Sequence, residues 1–219
     1  MWRAEELVGY LAEGLRGAEQ ALREEHAVRG LDAMEELELH PILGAALAGA
    51  GYGVVREQPY PGEVEARAKR SARDRCDLVV LPEAGVPLLD PVAELKAVDR
   101  ATGTLFEAMA EEIVPAGRVF GPDEGFWLEV KAVHQVGYVE GVPRPNAGYA
   151  GELLKGPAKD VVKLASEPYI SFGGVLVLLF AQDERVVRHD LAVAAAQWLD
   201  QDLPVGEPVI ECVPIEDRV

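Results

Sequence analysis

Phe126-Trp127-Leu128-Glu129-Val130-Lys131-Ala132-Val133 is the stretch on which the reading of this chain turns. Aromatic and β-branched residues dominate it, so it reads as a strand. Side chains alternate across a strand, which puts Glu129 and Lys131 on one face and Leu128, Val130 and Ala132 on the other. A carboxylate and an ammonium inside an otherwise apolar strand are costly to bury unless they are paired or put to use. A salt bridge at a sheet edge is one such use, and a reaction centre is another.

Upstream, Asp77-Leu78-Val79-Val80-Leu81 is a short β-rich run stopped by Pro82. Asp77 is therefore a second charge at the edge of a core element. If the two strands are neighbours, two carboxylates converge beside one lysine. Carboxylates, a backbone carbonyl and waters suit Mg²⁺, a hard cation that prefers oxygen ligands. Such a metal lowers the pKa of bound water and stabilises charge on a phosphoryl oxygen. Lys131 would then orient the water, assist its deprotonation or stabilise the transition state.

The rest of the chain supplies layers around these strands. Leu7, Leu11, Leu15, Ala18 and Leu22 recur at helical spacing, so residues 3–28 read as an amphipathic helix. After Arg29-Gly30, Asp32 is placed to cap a second helix, with Glu35 three positions on as in a capping box. That helix runs through Leu39, Ile42 and Leu47, and Pro41 either kinks it or begins a new one. Residues 52–60 read as a strand. Residues 84–125 read as an insertion between strands, with a helix around 104–113. A Gly/Pro/Asn-rich loop over 137–151 precedes a helix that starts near Pro157 and ends about Ser166. Val175 to Phe180 is a continuous apolar run, as expected of a central strand covered on both faces. A helix over 188–201 and a final strand over 209–213 complete an α/β layer fold in one domain.

Composition bounds the function. The 219 residues suffice for one full core, and the longest apolar run, Val175 to Ala181, is far short of the roughly 20 residues a bilayer span needs. The start of the chain is charged where a secretory signal is apolar, so a cytoplasmic protein with no membrane partner is expected. Cys76 and Cys212 form neither a disulfide framework nor a zinc motif, and the four histidines show no paired metal-ligand spacing. Gly49, Gly51 and Gly53 follow a helix and precede a strand, the reverse of a dinucleotide-binding turn. The net charge of -17 opposes long-range attraction to a polyanion. Arg67, Lys69, Arg70, Arg73 and Arg75, five basic residues in nine positions just before Asp77, offset it locally.

Asp77 followed by Glu129-Val130-Lys131, with a helix before and a helix-strand pair after, resembles the PD-(D/E)xK nuclease superfamily and its restriction-endonuclease-like αβββαβ core. The resemblance covers roughly residues 32–182, leaving 1–30 as an N-terminal helical extension and 84–125 as the insertion. It implies that Asp77 and Glu129 bind Mg²⁺, or alternatively Mn²⁺, that Val130 lends its carbonyl, and that Lys131 assists phosphodiester hydrolysis. Cys76 stands where the family name has proline. The 52-position offset from Asp77 to Glu129 is long for the pattern. A second copy, Glu94-Leu95-Lys96 with Asp90 upstream, lies at a more usual distance but in a less strand-like setting.

The family often carries an acid on the first core helix. Glu36 and His40 share one helical face and are the accessory candidates there, with Glu35 and Glu38 as competitors. Gln135, just beyond Lys131, either contacts substrate or makes a strand-end hydrogen bond. Arg70, Arg73, Arg75, Lys159 and Lys163 are the candidates for meeting phosphates, against the plainer reading of solvated surface charges. Nucleic acid, DNA ahead of RNA, is the implied substrate, reached alone or through a partner protein, and the N-terminal helix offers a homodimer contact. The alternative from another class is a non-catalytic binding or assembly module that keeps the nuclease fold, which the acidity favours.

Overall fold

A computed structural model describes residues 2–62, 75–90, 117–140 and 142–204, with positions 206, 209, 211 and 213. The protein is mixed α/β. Helix α1 (Ala4–Glu24) is followed by a 3₁₀ turn (Leu31–Ala33), α2 (Glu36–Gly49), β1 (Gly53–Pro59), β2 (Arg75–Leu81) and β3 (Phe126–His134). Then come β4 (Val136–Val139), β5 (Val142–Pro145), α3 (Tyr149–Ala165), β6 (Phe172–Phe180) and α4 (Glu184–Asp200). The main sheet has the order β1-β2-β3-β6 and is mixed: β1, β2 and β3 are antiparallel neighbours, whereas β6 runs parallel to β3. Among the described residues no helix is long and apolar enough to cross a membrane.

Alternation along the strands divides the core in two. Leu78, Val80, Leu128 and Val130 meet Leu7, Leu11 and Leu15 of α1 and Leu39, Leu43 and Leu47 of α2 on one face. Trp127, Val79 and Leu81 pack with Tyr60, Phe120 and Leu164 on the other, and Val133, Leu153 and Ala194 close the far end under α3 and α4. Helix α1 is thus part of the main core rather than an appendage, and its leucine stripe is used within the chain. Gly14 makes this possible, because a Cβ there would collide with Ala46 Cβ of α2. Leu43 lies at the centre of the α1–α2 layer and is fully buried. Leu43→Ala is expected to lower unfolding stability by about 2–5 kcal/mol, read from denaturant unfolding, since transfer and cavity costs add at such a site.

Several sequence expectations are corrected. The cap of the second helix is Glu35, not Asp32, so the helix begins at Glu36, with Glu35 paired to Glu38 in the capping box. Pro41 lies within α2 without ending it. The stretch expected as a loop after β3 contains the β4–β5 hairpin, and α3 starts eight residues before Pro157, which sits buried inside it. The price is the one backbone hydrogen bond that proline cannot donate. β6 packs on both faces of the sheet, yet it ends the described strand order rather than occupying its centre. The expected helix around 104–113, the Glu94-Leu95-Lys96 copy, and Arg70 and Arg73 lie outside the described residues; of the expected 209–213 strand, positions 210 and 212 do too, and 209, 211 and 213 are not in a strand.

Candidate metal centre

The sheet is irregular at one row, and Asp77 sits on it. The β2–β3 ladder pairs only Leu78–Val80 with Phe126–Leu128. On the other side, Arg56 pairs with Leu78 and Gln58 with Cys76, but Glu57 between them adopts a left-handed φ of 53°. A non-glycine residue in that region is strained, and such strain concentrates at functional sites. With regular pairing interrupted, the Asp77 carboxylate takes the place of a backbone acceptor: Oδ2 receives the Val130 N–H at 2.7 Å.

Helix α2 brings its first turns to the same place. Glu36 accepts the Ala132 N–H at 3.2 Å, so a side chain from α2 caps the strand just beyond the Glu129-Val130-Lys131 run. His40, one turn on, is buried among the leucines of α2. Ligand atoms of Glu36, His40 and Asp77 all lie within 4.8 Å of one another. His40 Nδ1 stands 3.7 Å from Glu57 Oε1, while Nε2 is buried with no hydrogen-bond partner. Burial holds the imidazole below its usual pKa, against the opposing pull of Glu36 and Glu57. It is therefore neutral near pH 7, the form that ligates metals. An orphaned buried nitrogen beside two carboxylates fits a divalent cation. Imidazole in the donor set moves the preference from Mg²⁺ towards first-row transition ions such as Mn²⁺.

Glu129 and Lys131 are each answered by a charge on α3, where Asp160 and Lys163 share a face. Buried Glu129 accepts from Lys163 Nζ at 2.9 Å and from the Tyr60 hydroxyl, both on Oε1. Lys131 Nζ lies 3.4 Å from Glu36 Oε1 and 3.4 Å from Asp160 Oδ2, and donates to the Val130 carbonyl at 2.9 Å. The Asp160 contact is ionic and lacks hydrogen-bond direction. Burial works against the Lys131 charge, but Asp160, Glu36, Asp77 and Glu129 outweigh it and hold the ammonium pKa above its usual value. The Asp77 pKa rises as well, but there burial is the cause rather than the opposing force. Burial, countered by the Val130 amide and reinforced by neighbouring Glu129, pushes its carboxyl up to about 7.

The sequence-predicted residues thus divide. Asp77 accepts the amide next to Glu129, and Lys131 meets Glu36, but the three residues whose ligand atoms cluster are Asp77 with Glu36 and His40, expected only as accessories; Glu129 is not one of them. The Val130 carbonyl, expected to face the metal, is engaged by Lys131. Glu35 and Glu38 are used by the α2 cap. Gln135 is a strand-end brace: its side chain accepts from Gln182 N and its carbonyl from Asn146 N. Lys163 holds Glu129 rather than facing solvent, Lys159 is exposed, and Arg75 donates to the Glu57 carbonyl. Sequence reasoning missed Tyr60 and Asp160. The only trace of Asp160 was its one-turn spacing before Lys163.

Compared with protein-family models, curated proteins and solved structures, the chain matches none of them.

Proposed function

We propose that the chain is a divalent-metal-dependent phosphodiesterase of the PD-(D/E)xK type, acting on nucleic acid, DNA ahead of RNA. The observation that carries this reading is the convergence of Glu36, His40 and Asp77 within 4.8 Å, beside Glu129 and the Lys131 ammonium. The succession α2-β1-β2-β3, then α3-β6, supports a restriction-endonuclease-like αβββαβ core, with the β4–β5 hairpin added between β3 and α3. Glu36, His40 and Asp77 would hold the cation, with Glu129 at its margin. When bound, it supplies Lewis acidity and a water of lowered pKa. Lys131 would supply a fixed positive charge to a phosphoryl oxygen that gains negative charge.

One observation favours a second reading, a binding or assembly module that keeps this fold without catalysis. Glu129 is already paired with Lys163 and hydrogen-bonded by Tyr60, and the chain as a whole carries -17. Titration with Mn²⁺ and Mg²⁺, followed by incubation with duplex DNA, single-stranded DNA and RNA, separates the two. The nuclease reading expects tight Mn²⁺ binding and cleavage of at least one polymer. Mn²⁺ binding without cleavage of any of them would leave the second reading standing.

A further inference from the structure

Glu129 is the acid that an ExK motif is expected to give to a metal, yet one of its oxygens is committed elsewhere. Oε1 receives the Tyr60 hydroxyl and the Lys163 ammonium. Tyr60 follows the end of β1 and lies 69 positions from Glu129, while Lys163 comes from α3. The two donors also brace each other, for Lys163 Nζ lies 4.4 Å from the centre of the Tyr60 ring. That ring is fully buried and stacked on Trp127 at 5.7 Å between centroids. Trp127 is itself fixed by its indole N–H, which donates to the Pro122 carbonyl at 2.8 Å. A carboxylate held by two donors, one locked by stacking and the other by a cation–π contact, has little freedom to rotate.

We propose that Tyr60 and Lys163 are positioning residues that fix the Glu129 carboxylate beside Asp77, so that metal affinity depends on them although neither touches the metal. The inference rests on the metal-centre reading given above. Two features support it beyond simple burial of a charge. A lone ammonium would have sufficed to neutralise Glu129, whereas here a tyrosine is spent on the same oxygen. The Asp77 carboxylate is held by the N–H of Val130, the residue next to Glu129, so the two acids are neighbours and an anchor on Oε1 fixes how the second is presented to the first. Outer partners of ligating groups typically change metal affinity by roughly 10–100-fold.

The test is Mn²⁺ titration by calorimetry on the full chain and on Tyr60→Phe, Lys163→Met, Glu129→Gln and the Tyr60→Phe/Glu129→Gln double variant. Tyr60→Phe keeps the stacked ring and removes only the hydroxyl. It is expected to weaken Mn²⁺ binding by roughly tenfold; Lys163→Met should weaken it less, because losing a cation beside the site partly offsets the lost anchor. In the Glu129→Gln background, removing the hydroxyl should have no further effect, because the group it positions is already altered. A purely structural role for Tyr60 would lower the melting temperature of both backgrounds and leave Mn²⁺ affinity alone. Unchanged affinity in both Tyr60→Phe and Lys163→Met would overturn this inference while the metal-centre reading survives. Failure of the parent chain to bind Mn²⁺ would overturn both.

Discussion

Asp77→Asn is expected to abolish Mn²⁺ binding and, in the absence of metal, to raise the melting temperature at alkaline pH. The two effects have one cause. The Asp77 carboxyl is raised to about 7 in the folded protein, from 3.8, chiefly by burial. A carboxylate whose folded pKa is raised contributes stability that is present below about pH 4 and is lost as pH rises through about 7. Above that point the folded chain carries an ionised acid that it would hold more comfortably as a neutral group. Asparagine keeps an oxygen to accept the Val130 N–H and removes the charge that opposes Glu129. In differential scanning calorimetry the variant should melt above the parent near pH 8, by roughly 3 °C or more if about 1 kcal/mol is recovered. The gap should narrow as pH falls towards 5.

Adding Mn²⁺ should reverse the order. A ligand present at about 100 times its Kd stabilises the folded state by about 2.7 kcal/mol, and only the parent would gain it. Metal affinity in the parent should itself rise with pH through the Asp77 titration, because the cation competes with the proton for that oxygen. A variant that binds Mn²⁺ as tightly as the parent would remove Asp77 from the centre. A variant less stable than the parent at every pH would show that burial does not disfavour the ionised acid.

How much of this was readable beforehand depends on how local each signal was. β3 was legible because nine consecutive residues carry their own evidence: aromatic and β-branched flanks, with charge alternating against apolar neighbours. Glu36 and His40 could be put on one helical face by their spacing alone. That this face meets Asp77 could not, since it depends on how α2 crosses the sheet. Tyr60 carries no local mark of function. Its role comes from a stack on Trp127 and a contact 69 positions away. The β4–β5 hairpin and the true start of α3 were obscured by composition. Gly148, Pro157 and the prolines at 143 and 145 argue for a loop on propensity. In fact Asn146 secures the entry to α3, accepting from Gly148 N and donating to Glu152, and packing keeps Pro157 inside the helix. The unbroken apolar run of β6 reads as a central strand, and its residues do pack, half-buried, on both faces, but a strand's rank in the sheet is set by which edges pair, which hydropathy does not encode.

Lys131→Met is the variant expected to cost most in activity, lowering phosphodiester hydrolysis by at least about a hundredfold without weakening Mn²⁺ binding. Lys131 stands between Glu36 and Asp160 and against the Val130 carbonyl, with no hydrophobic shelter strong enough to remove its proton. Held as an ammonium near neutral pH, it has no lone pair to accept a proton from water, so under the proposed phosphodiesterase reading its contribution would be a fixed positive charge. Methionine is close in volume and removes only that charge. The loss of a cation beside Glu36 leaves the carboxylate a better donor to metal, so Mn²⁺ affinity should hold or tighten. Lys131→Arg then distinguishes charge from proton transfer. A guanidinium stays protonated but cannot act as a base at any accessible pH. If charge is what Lys131 provides, the arginine variant recovers part of the lost rate with the parent's pH profile, limited by fitting a longer side chain beside Gly156, which lies close to Lys131 Cδ. Should arginine prove as inactive as methionine while binding Mn²⁺ normally, Lys131 would have to give up its proton during the reaction, and the four carboxylates around it would need another purpose.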